Sequence, residues 1–345
     1  MYVQLKELVR DWFGPLYEPL VALAFVLFPF TGPHVLNGVF VASAVVLALW
    51  FYVRHAGGRQ PFSLREFWRF LAPREVFLHR SALVDYKFYV LNSLLLRYLR
   101  VGTHVAAFVG VFQIADAVHS ALIAIFGARA AATAPPAVVL VAYSFCMVVA
   151  VDFAKFFAHY LQHKVTILWE FHKVHHSAQV LTPITNFRLH PVDLLLEQLL
   201  AAALTGAVAG GFRYFYSDGL VEITVLNIGV IYFLYFLAAN LRHSHIPLAF
   251  GYRTSHIFSS PYMHQIHHSC EQRHWDKNYA LIFSFWDWLF GSLYIPRERE
   301  QFRLGLPGGE NTRFDSVWNL YAEPFVGAAR AVLRRRPAVT TGNMQ

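Results

Sequence analysis

Residues 136–176 read PAVVLVAYSFCMVVAVDFAKFFAHYLQHKVTILWEFHKVHH. Pro136 to Val151 carries no charged side chain. The chain then meets Asp152, and beyond it the histidines begin: His159 and His163, then His172, His175 and His176. An apolar run that ends in a row of imidazoles reads as a helix leaving a lipid phase with metal-ready groups at its exit. Residues four apart share a helix face, so His159 and His163 offer two imidazoles to one centre. Asp152 lies on that face two turns earlier, where a carboxylate can hold the outer N–H of a ligand imidazole and fix its tautomer. His172 faces both His175 and His176, and helical neighbours diverge by about 100°. The triplet therefore suits two metal centres better than one.

The rest of the chain agrees with lipid as solvent. It has 345 residues, 56% hydrophobic and 14% charged, against about 25% charged in soluble domains. The formal charge is +8, and the arginines flank apolar runs with no nucleic-acid motif among them, so the basic balance reads as membrane topology and not as nucleic-acid binding. Of the two cysteines, Cys146 sits inside an apolar run, which excludes a disulfide framework. The first apolar run follows Lys6 and Arg10 but continues too long for a cleavable signal, and no small-residue cleavage site ends it.

Apolar runs come in pairs: Tyr17–Phe30 with His34–Val53, Val101–Gly127 with Pro136–Val151, and Leu194–Phe212 with Leu220–Leu241. Gly210-Gly211 and Ser217-Asp218-Gly219 mark the last turn. Pairs return the chain to one side. The Arg-rich stretch 54–100, the segment 152–193 and the tail from Arg242, with Arg334, Arg335 and Arg336, are then all expected on the cytoplasmic side. The expected fold is an all-α integral membrane protein of about four to six transmembrane helices in hairpins. A cytoplasmic helical cap holds a His-rich dinuclear metal site. The expected division is 1–140 for N-terminal membrane hairpins and an Arg-rich cytoplasmic segment, 141–296 for the metal-bearing domain, and 297–345 for a cytoplasmic tail.

Thirteen of the 18 histidines fall between His159 and His274, all in the two segments assigned to the cytoplasmic side. His264, His267 and His268 repeat the H-x-x-H-H of His172, His175 and His176, with His190, His243 and His245 between them. A lone histidine in a membrane protein is an ordinary hydrogen-bonded residue, and His34, His55, His79, His104 and His119 are read that way. Two H-x-x-H-H copies and an H-x-x-x-H need a metal, because burying so many imidazoles beside lipid without partners costs several kcal/mol each. Eight to ten imidazoles exceed what one ion uses, so two ions are implied. Imidazole shells suit iron, zinc, copper or nickel, but zinc has no redox chemistry.

From about Tyr143 to Pro296 the sequence resembles the fatty acid hydroxylase/sterol desaturase superfamily. Its ordered motifs read here HYLQH, HKVHH, RHSH, HQIHH, WDKNY and FWDWLFGSLY. Carried over position by position, the resemblance implies metal ligands at His159, His163, His172, His175, His176, His243, His264, His267 and His268. His190, in the family's H-P element RLHPVD, is expected as a tenth. It would replace the first histidine of an H-x-x-x-H that ceramide-hydroxylating relatives carry where this chain has Ala239. His245 stands where relatives often carry Asn and is expected behind the ligands; His256 and His274 match no ligand position. Asp152, Asp276 and Asn278 are the expected catalytic-support residues, with Asp287 beside them. Tyr160, Trp169, Trp275 and Tyr279 are expected to line a lipid tunnel.

The resemblance also implies a di-iron, dioxygen-dependent oxidoreductase that hydroxylates or desaturates a sterol, fatty acyl or related lipid, with zinc an alternative occupant of the protein as purified. Electrons come from a separate chain, a cytochrome b5-like or ferredoxin/reductase donor. The expected location is the bacterial inner membrane, or the endoplasmic reticulum in a eukaryote, with the active site facing the cytoplasm. Two alternatives stand beside it: an alkylglycerol-type ether lipid monooxygenase of the same superfamily, and a non-enzymatic metal-binding membrane protein or transporter. A transporter places ionisable residues deep within its spans, whereas these histidines cluster at the spans' ends.

Overall fold

The computed structural model describes residues 36, 38–55, 62–95, 97–129, 137–216 and 235–335. The expected run Tyr17–Phe30, most of Leu220–Leu241 and the tail from Pro337 lie outside the described residues. Among those described, regular structure is entirely helical, with only two isolated β-bridges, Phe258 to Phe283 and Ser269 to Leu304. The long helices are α1 (Gly38–His55), α2 (Leu64–Leu71), α3 (Arg74–Phe77, a single turn), α4 (Arg80–Leu95), α5 (Arg97–Phe126), α6 (Ala137–Lys164), α7 (Thr166–His176) and α8 (Pro191–Arg213). After them come the short α9 (Pro261–His267) and α10 (Phe285–Leu289), then α11 (Val317–Arg335).

Four of these segments are long and apolar enough to cross a bilayer: α1, Val109–Phe126 of α5, α6 and α8. Their outward faces carry bare hydrophobic side chains, among them Val46, Trp50, Phe126, Val138, Phe145 and Leu199. Such faces are stable only against lipid. The chain is thus a membrane protein built on apolar helices. The Arg-rich stretch, expected only as a polar connection, folds into α2, α3 and α4, and Ser63 caps α2 by accepting from the Glu66 N–H.

Lipid gives no hydrophobic drive between helices, so close backbone approach must hold the bundle. α8 provides it against α5. A Cβ on Gly206 would sit 2.8 Å from Ile114 Cβ, and one on Gly210 would sit 2.5 Å from the Ala115 carbonyl oxygen. Gly210-Gly211, expected as a turn, instead continues the helix to Arg213, and Gly206-x-x-x-Gly210 is its packing face. Helix α6 lies along the same α8, and α11 packs along α7.

Under α7 a second, polar anchor forms. Arg188 is fully buried; its guanidinium donates to the carbonyls of Val174 (2.8 Å) and Phe314 (3.0 Å), to Ser177 Oγ (2.7 Å) and to Asp85 Oδ1 (2.5 Å). Burial raises the Asp85 carboxyl from its usual range, and Arg188 opposes that. One residue thereby ties the end of α7 to α4 and to the strand of chain before α11. Removing one partner of a buried ion pair costs about 3–5 kcal/mol.

Candidate metal centre

Three elements aim the histidines inward. α6 presents His159 and His163 on one face; α7 presents His172, His175 and His176; and α9 with its C-cap presents His264, His267 and His268. Ser260 and Pro261 start α9: the Ser260 hydroxyl accepts from Met263 N–H, and Pro261 occupies the first helical position. His243 comes from the turn that follows Ala239.

The side chains sort into two groups whose potential ligand atoms lie within 4.8 Å of one another: His159, His163, His172, His176 and His267, and His175, His243, His264 and His268. Each H-x-x-H-H is split by the helical repeat. The i, i+4 pair His172/His176 joins the first group and His175 the second; His264/His268 joins the second and His267 the first.

These residues fit metal ions. In the five-histidine group every Nε2 is buried without a hydrogen-bond partner. In the four-histidine group the Nε2 atoms converge, with His243 at 3.2 Å from His175, 3.2 Å from His268 and 3.0 Å from His264, and His264 at 3.2 Å from His268. Imidazoles bound to one ion at about 2.0–2.1 Å in a tetrahedral shell have nitrogens roughly 3.3 Å apart. Orphaned buried nitrogens cost about 1–3 kcal/mol each, a cost that a shared cation removes. Burial holds His172, His175, His176, His243, His264, His267 and His268 well below the ordinary imidazole pKa, so each is neutral and able to ligate at pH 7.

The outer nitrogens explain the loop 276–292. Asp276 and Asn278 both adopt left-handed backbone, at φ 61° and 59°, which Asp and Asn tolerate better than other L residues. This double reversal turns two carbonyls toward the site. Lys277 O accepts from His267 Nδ1 at 2.7 Å, and Tyr279 O accepts from His159 Nδ1 at 2.8 Å. Both Nε2 lone pairs are thereby fixed inward. Asn278 fastens the turn, donating to Met263 O and Tyr294 O and accepting from Tyr294 N–H. Asp287 accepts from Tyr279 N–H, Ala280 N–H and Ser292 Oγ–H at 2.7–2.9 Å. Asp276 instead meets Lys164 Nζ and the Tyr279 hydroxyl.

Two expectations need correction. Asp152 does not hold a ligand imidazole: its carboxylate accepts from Ile282 N–H, Phe283 N–H and Trp286 Nε1–H. It ties the same loop to α6, where Phe156, Tyr279 and Ala280 pack with Phe153 and Trp286. His190 belongs to neither histidine group. It caps α8, its Nδ1 accepting from Val192 N–H, and its ring packs 4.9 Å from Phe171 and 5.4 Å from Phe325. Burial pushes its pKa down to about 4. Its place before Pro191 serves helix initiation, which the H-P spacing alone does not distinguish from ligation.

His245 donates to Phe70 O, His256 to Tyr252 O and His274 to the Glu300 carboxylate, all outside both groups. Of the four expected tunnel residues, Tyr279 borders the cavity described below; Tyr160 lies in the aromatic packing on α6, and the Trp169 ring sits 4.9 Å from His163. Trp275 is half exposed and donates to Cys270 O.

Sequence reasoning passed over two charged neighbours. Asp193 Oδ2 lies 3.7 Å from His172 Nδ1 with both groups buried, so a carboxylate stands behind this ligand in the first turn of α8. An acid three residues after a helix cap was the available signal. Arg242 Nη2 stands 2.9 Å from His264 Nδ1 and also donates to Ala280 O, while Nη1 donates to Leu281 O. A guanidinium can only donate. Were His264 to hold a metal through Nε2, its proton would sit on Nδ1, and Arg242 would keep its bonds to the two carbonyls.

A cavity of about 470 Å³ opens against both groups, bordered by His159, His172, His175, His243 and His264. An apolar pocket of about 490 Å³ shares Tyr235, Ala239 and Arg242 with it.

Comparison with known proteins agrees with this arrangement. The sequence profile of the fatty acid hydroxylase family matches residues 144–292. The chain is 27% identical over 162 residues to an ornithine lipid hydroxylase of Rhizobium tropici, covering 46% of this chain and 43% of that protein. It is 24% identical over 164 residues to alkylglycerol monooxygenase of Homo sapiens, covering 46% of this chain and 32% of that protein. Against alkylglycerol monooxygenase of Caenorhabditis elegans it is 24% identical over 179 residues, covering 49% and 32%. The chain thus spans less than half the length of these curated relatives. No solved structure matches.

Proposed function

We propose that this chain, whose residues 144–292 match the fatty acid hydroxylase family, is a membrane-bound di-iron oxidoreductase that uses dioxygen to hydroxylate or desaturate a lipid. The observation that carries the reading is the pair of buried histidine groups, five and four strong, beside one cavity. Iron bound there supplies the electron transfer that activates dioxygen, which zinc cannot supply. Hydroxylation of one C–H bond consumes one dioxygen, two electrons and two protons and releases one water. The electrons come from a separate donor of the cytochrome b5-like or ferredoxin type.

The chain's own residues do the rest. His159, His163, His172, His176 and His267 would hold one ion, and His175, His243, His264 and His268 the other. The Lys277 and Tyr279 carbonyls keep His267 and His159 aimed inward, and Asp193 stands behind His172. Tyr235 and Ala239, with Phe250, Phe258 and Phe283, give an apolar wall on the side on which hydrocarbon would lie.

The same reading places residues 54–100, 152–193 and the tail from Arg242 on the cytoplasmic face, from the positive-inside distribution of arginine. It gives residues 1–140, 141–296 and 297–345 as membrane hairpins, oxidoreductase domain and cytoplasmic tail. The membrane is the bacterial inner membrane, or the endoplasmic reticulum in a eukaryote. The alkylglycerol monooxygenase relatives support a second reading, ether-lipid oxidation by the same site. Anaerobically purified protein, reconstituted with iron or zinc in lipid bilayers with a chemical reductant, tests both. Iron-dependent, zinc-independent incorporation of labelled dioxygen into lipid is expected. A fully loaded, folded protein that oxidises no fatty acyl, sterol or ether lipid refutes the reading.

A further inference from the structure

One ion pair in the metal-facing cavity has no part in ligation. Lys155 sits on α6 one turn before His159, and Glu197 sits on α8 one turn after Asp193. Their Nζ and Oε2 are 3.3 Å apart, the side chains keep 35% and 24% of their exposure, and both residues border the cavity. Asn186 borders the same cavity. Ionisable groups on membrane-spanning helices are costly and are kept for function. A purely structural tie between α6 and α8 would be better hidden from the cavity, because an open pair stays solvated and weak.

The pocket that adjoins this cavity is of contrary chemistry. Past Tyr235, Ala239 and Arg242 lies the apolar pocket, walled by Phe250, Phe258, Ile282 and Phe283. Arg242 is committed to the Ala280 and Leu281 carbonyls, and the small Ala239 leaves that wall thin. A molecule that occupies both spaces must be polar in one and hydrocarbon in the other.

We propose that Lys155, Glu197 and Asn186 form a subsite for the polar group of an amphipathic lipid, whose hydrocarbon chain runs past Ala239 into the apolar pocket. The adjacent positive and negative charges, with an amide, suit a group that both donates and accepts hydrogen bonds, such as a polyol or a zwitterion. This orientation rests on the lipid-oxidation reading but is tested by binding, so the two fail separately. The bond to be oxidised then lies between the polar group and the chain portion that has passed Ala239.

The test uses the full chain in lipid nanodiscs and two photoreactive monoalkylglycerols, one carrying a diazirine beside the glycerol and one at the chain terminus. Cross-linked peptides are mapped by mass spectrometry, with metal content measured on the same samples. The headgroup probe should label peptides holding Lys155 and Glu197, and the terminal probe those holding Phe250 to Phe258 or Ile282-Phe283. Lys155→Met with Glu197→Gln should cut headgroup labelling about tenfold, as loss of charge-assisted hydrogen bonds implies, with metal content unchanged. The swapped pair Lys155→Glu with Glu197→Lys separates recognition from scaffolding. A scaffold is restored in thermal stability and in labelling alike, whereas a binding subsite recovers stability but not the wild-type labelling by the headgroup probe. Labelling in the reverse orientation, no labelling of either region, or wild-type labelling in the neutral double variant each overturns the proposal.

Discussion

Asp287→Asn is the sharpest probe of how this centre is held. The carboxylate is buried and accepts three hydrogen bonds at 2.7–2.9 Å, two of them from the backbone of Tyr279 and Ala280. Burial raises its pKa, and the bonds from Ser292, Ala280 and Tyr279 oppose that rise. Asparagine keeps one acceptor oxygen and turns an NH2 toward the remaining donors, so one or two of the three lose their acceptor. At about 1.5–3 kcal/mol for each charge-assisted bond, the loop loses roughly 2–5 kcal/mol. The loop carries the carbonyls that orient His267 and His159. Loss of such outer partners weakens metal binding about 10–100-fold, and here the loss should fall on the five-histidine group. The assay is metal content per chain after equilibration against graded chelator, with hydrogen exchange across residues 276–283 as the local readout. Gly210→Ala is the control: it strains the contact with Ala115 and should lower stability while leaving metal affinity alone. An Asp287→Asn protein whose loop exchanges faster, yet whose metals resist chelator as in wild type, would refute the claim that this loop positions the ligands.

His176→Ala and His268→Ala, one from each group, should each lose metal and abolish lipid oxidation; elemental analysis showing two tightly held metals in either variant contradicts the two-ion assignment. His190→Ala should keep both metals and lose about 1 kcal/mol through the missing helix cap, so metal loss on that substitution would return His190 to the ligand set. The metal-free protein should lose stability as pH falls below 6.5. The folded His190 titrates near 4 against an ordinary 6.5, so its contribution is complete above 6.5 and drains away toward 4, by roughly 3 kcal/mol. The buried ligand histidines outside the spans shift in the same direction. Thermal melts of metal-free protein that stay flat from pH 7 to 4.5 refute this, and His190→Gln should give a visibly shallower decline.

Much of this protein was legible without coordinates. The helical class follows from apolar runs too long and too uncharged for water, and the metal-binding character from imidazoles spaced at helical intervals, because the α-helical repeat converts sequence spacing directly into a shared face. That rule is local, and it stops where contacts are not. His190 has the right residue type and a suggestive neighbour, but its role was decided by where α8 begins, which puts its ring against Phe171 and Phe325. Asp152 shares a face with His159, yet the loop 282–286 reached its carboxylate first. Gly206 and Gly210 read as an ordinary apolar helix ending in a turn until α5 was laid against them. The sequence alone determined that eight histidines come at helical spacing near the ends of apolar runs. Only the tertiary structure decided how they divide into five and four, which carbonyls fix their tautomers and which ion pair looks into the cavity. Those choices depend on separate segments meeting across the fold, as His159 meets the Tyr279 carbonyl 120 positions away, and no periodicity encodes them.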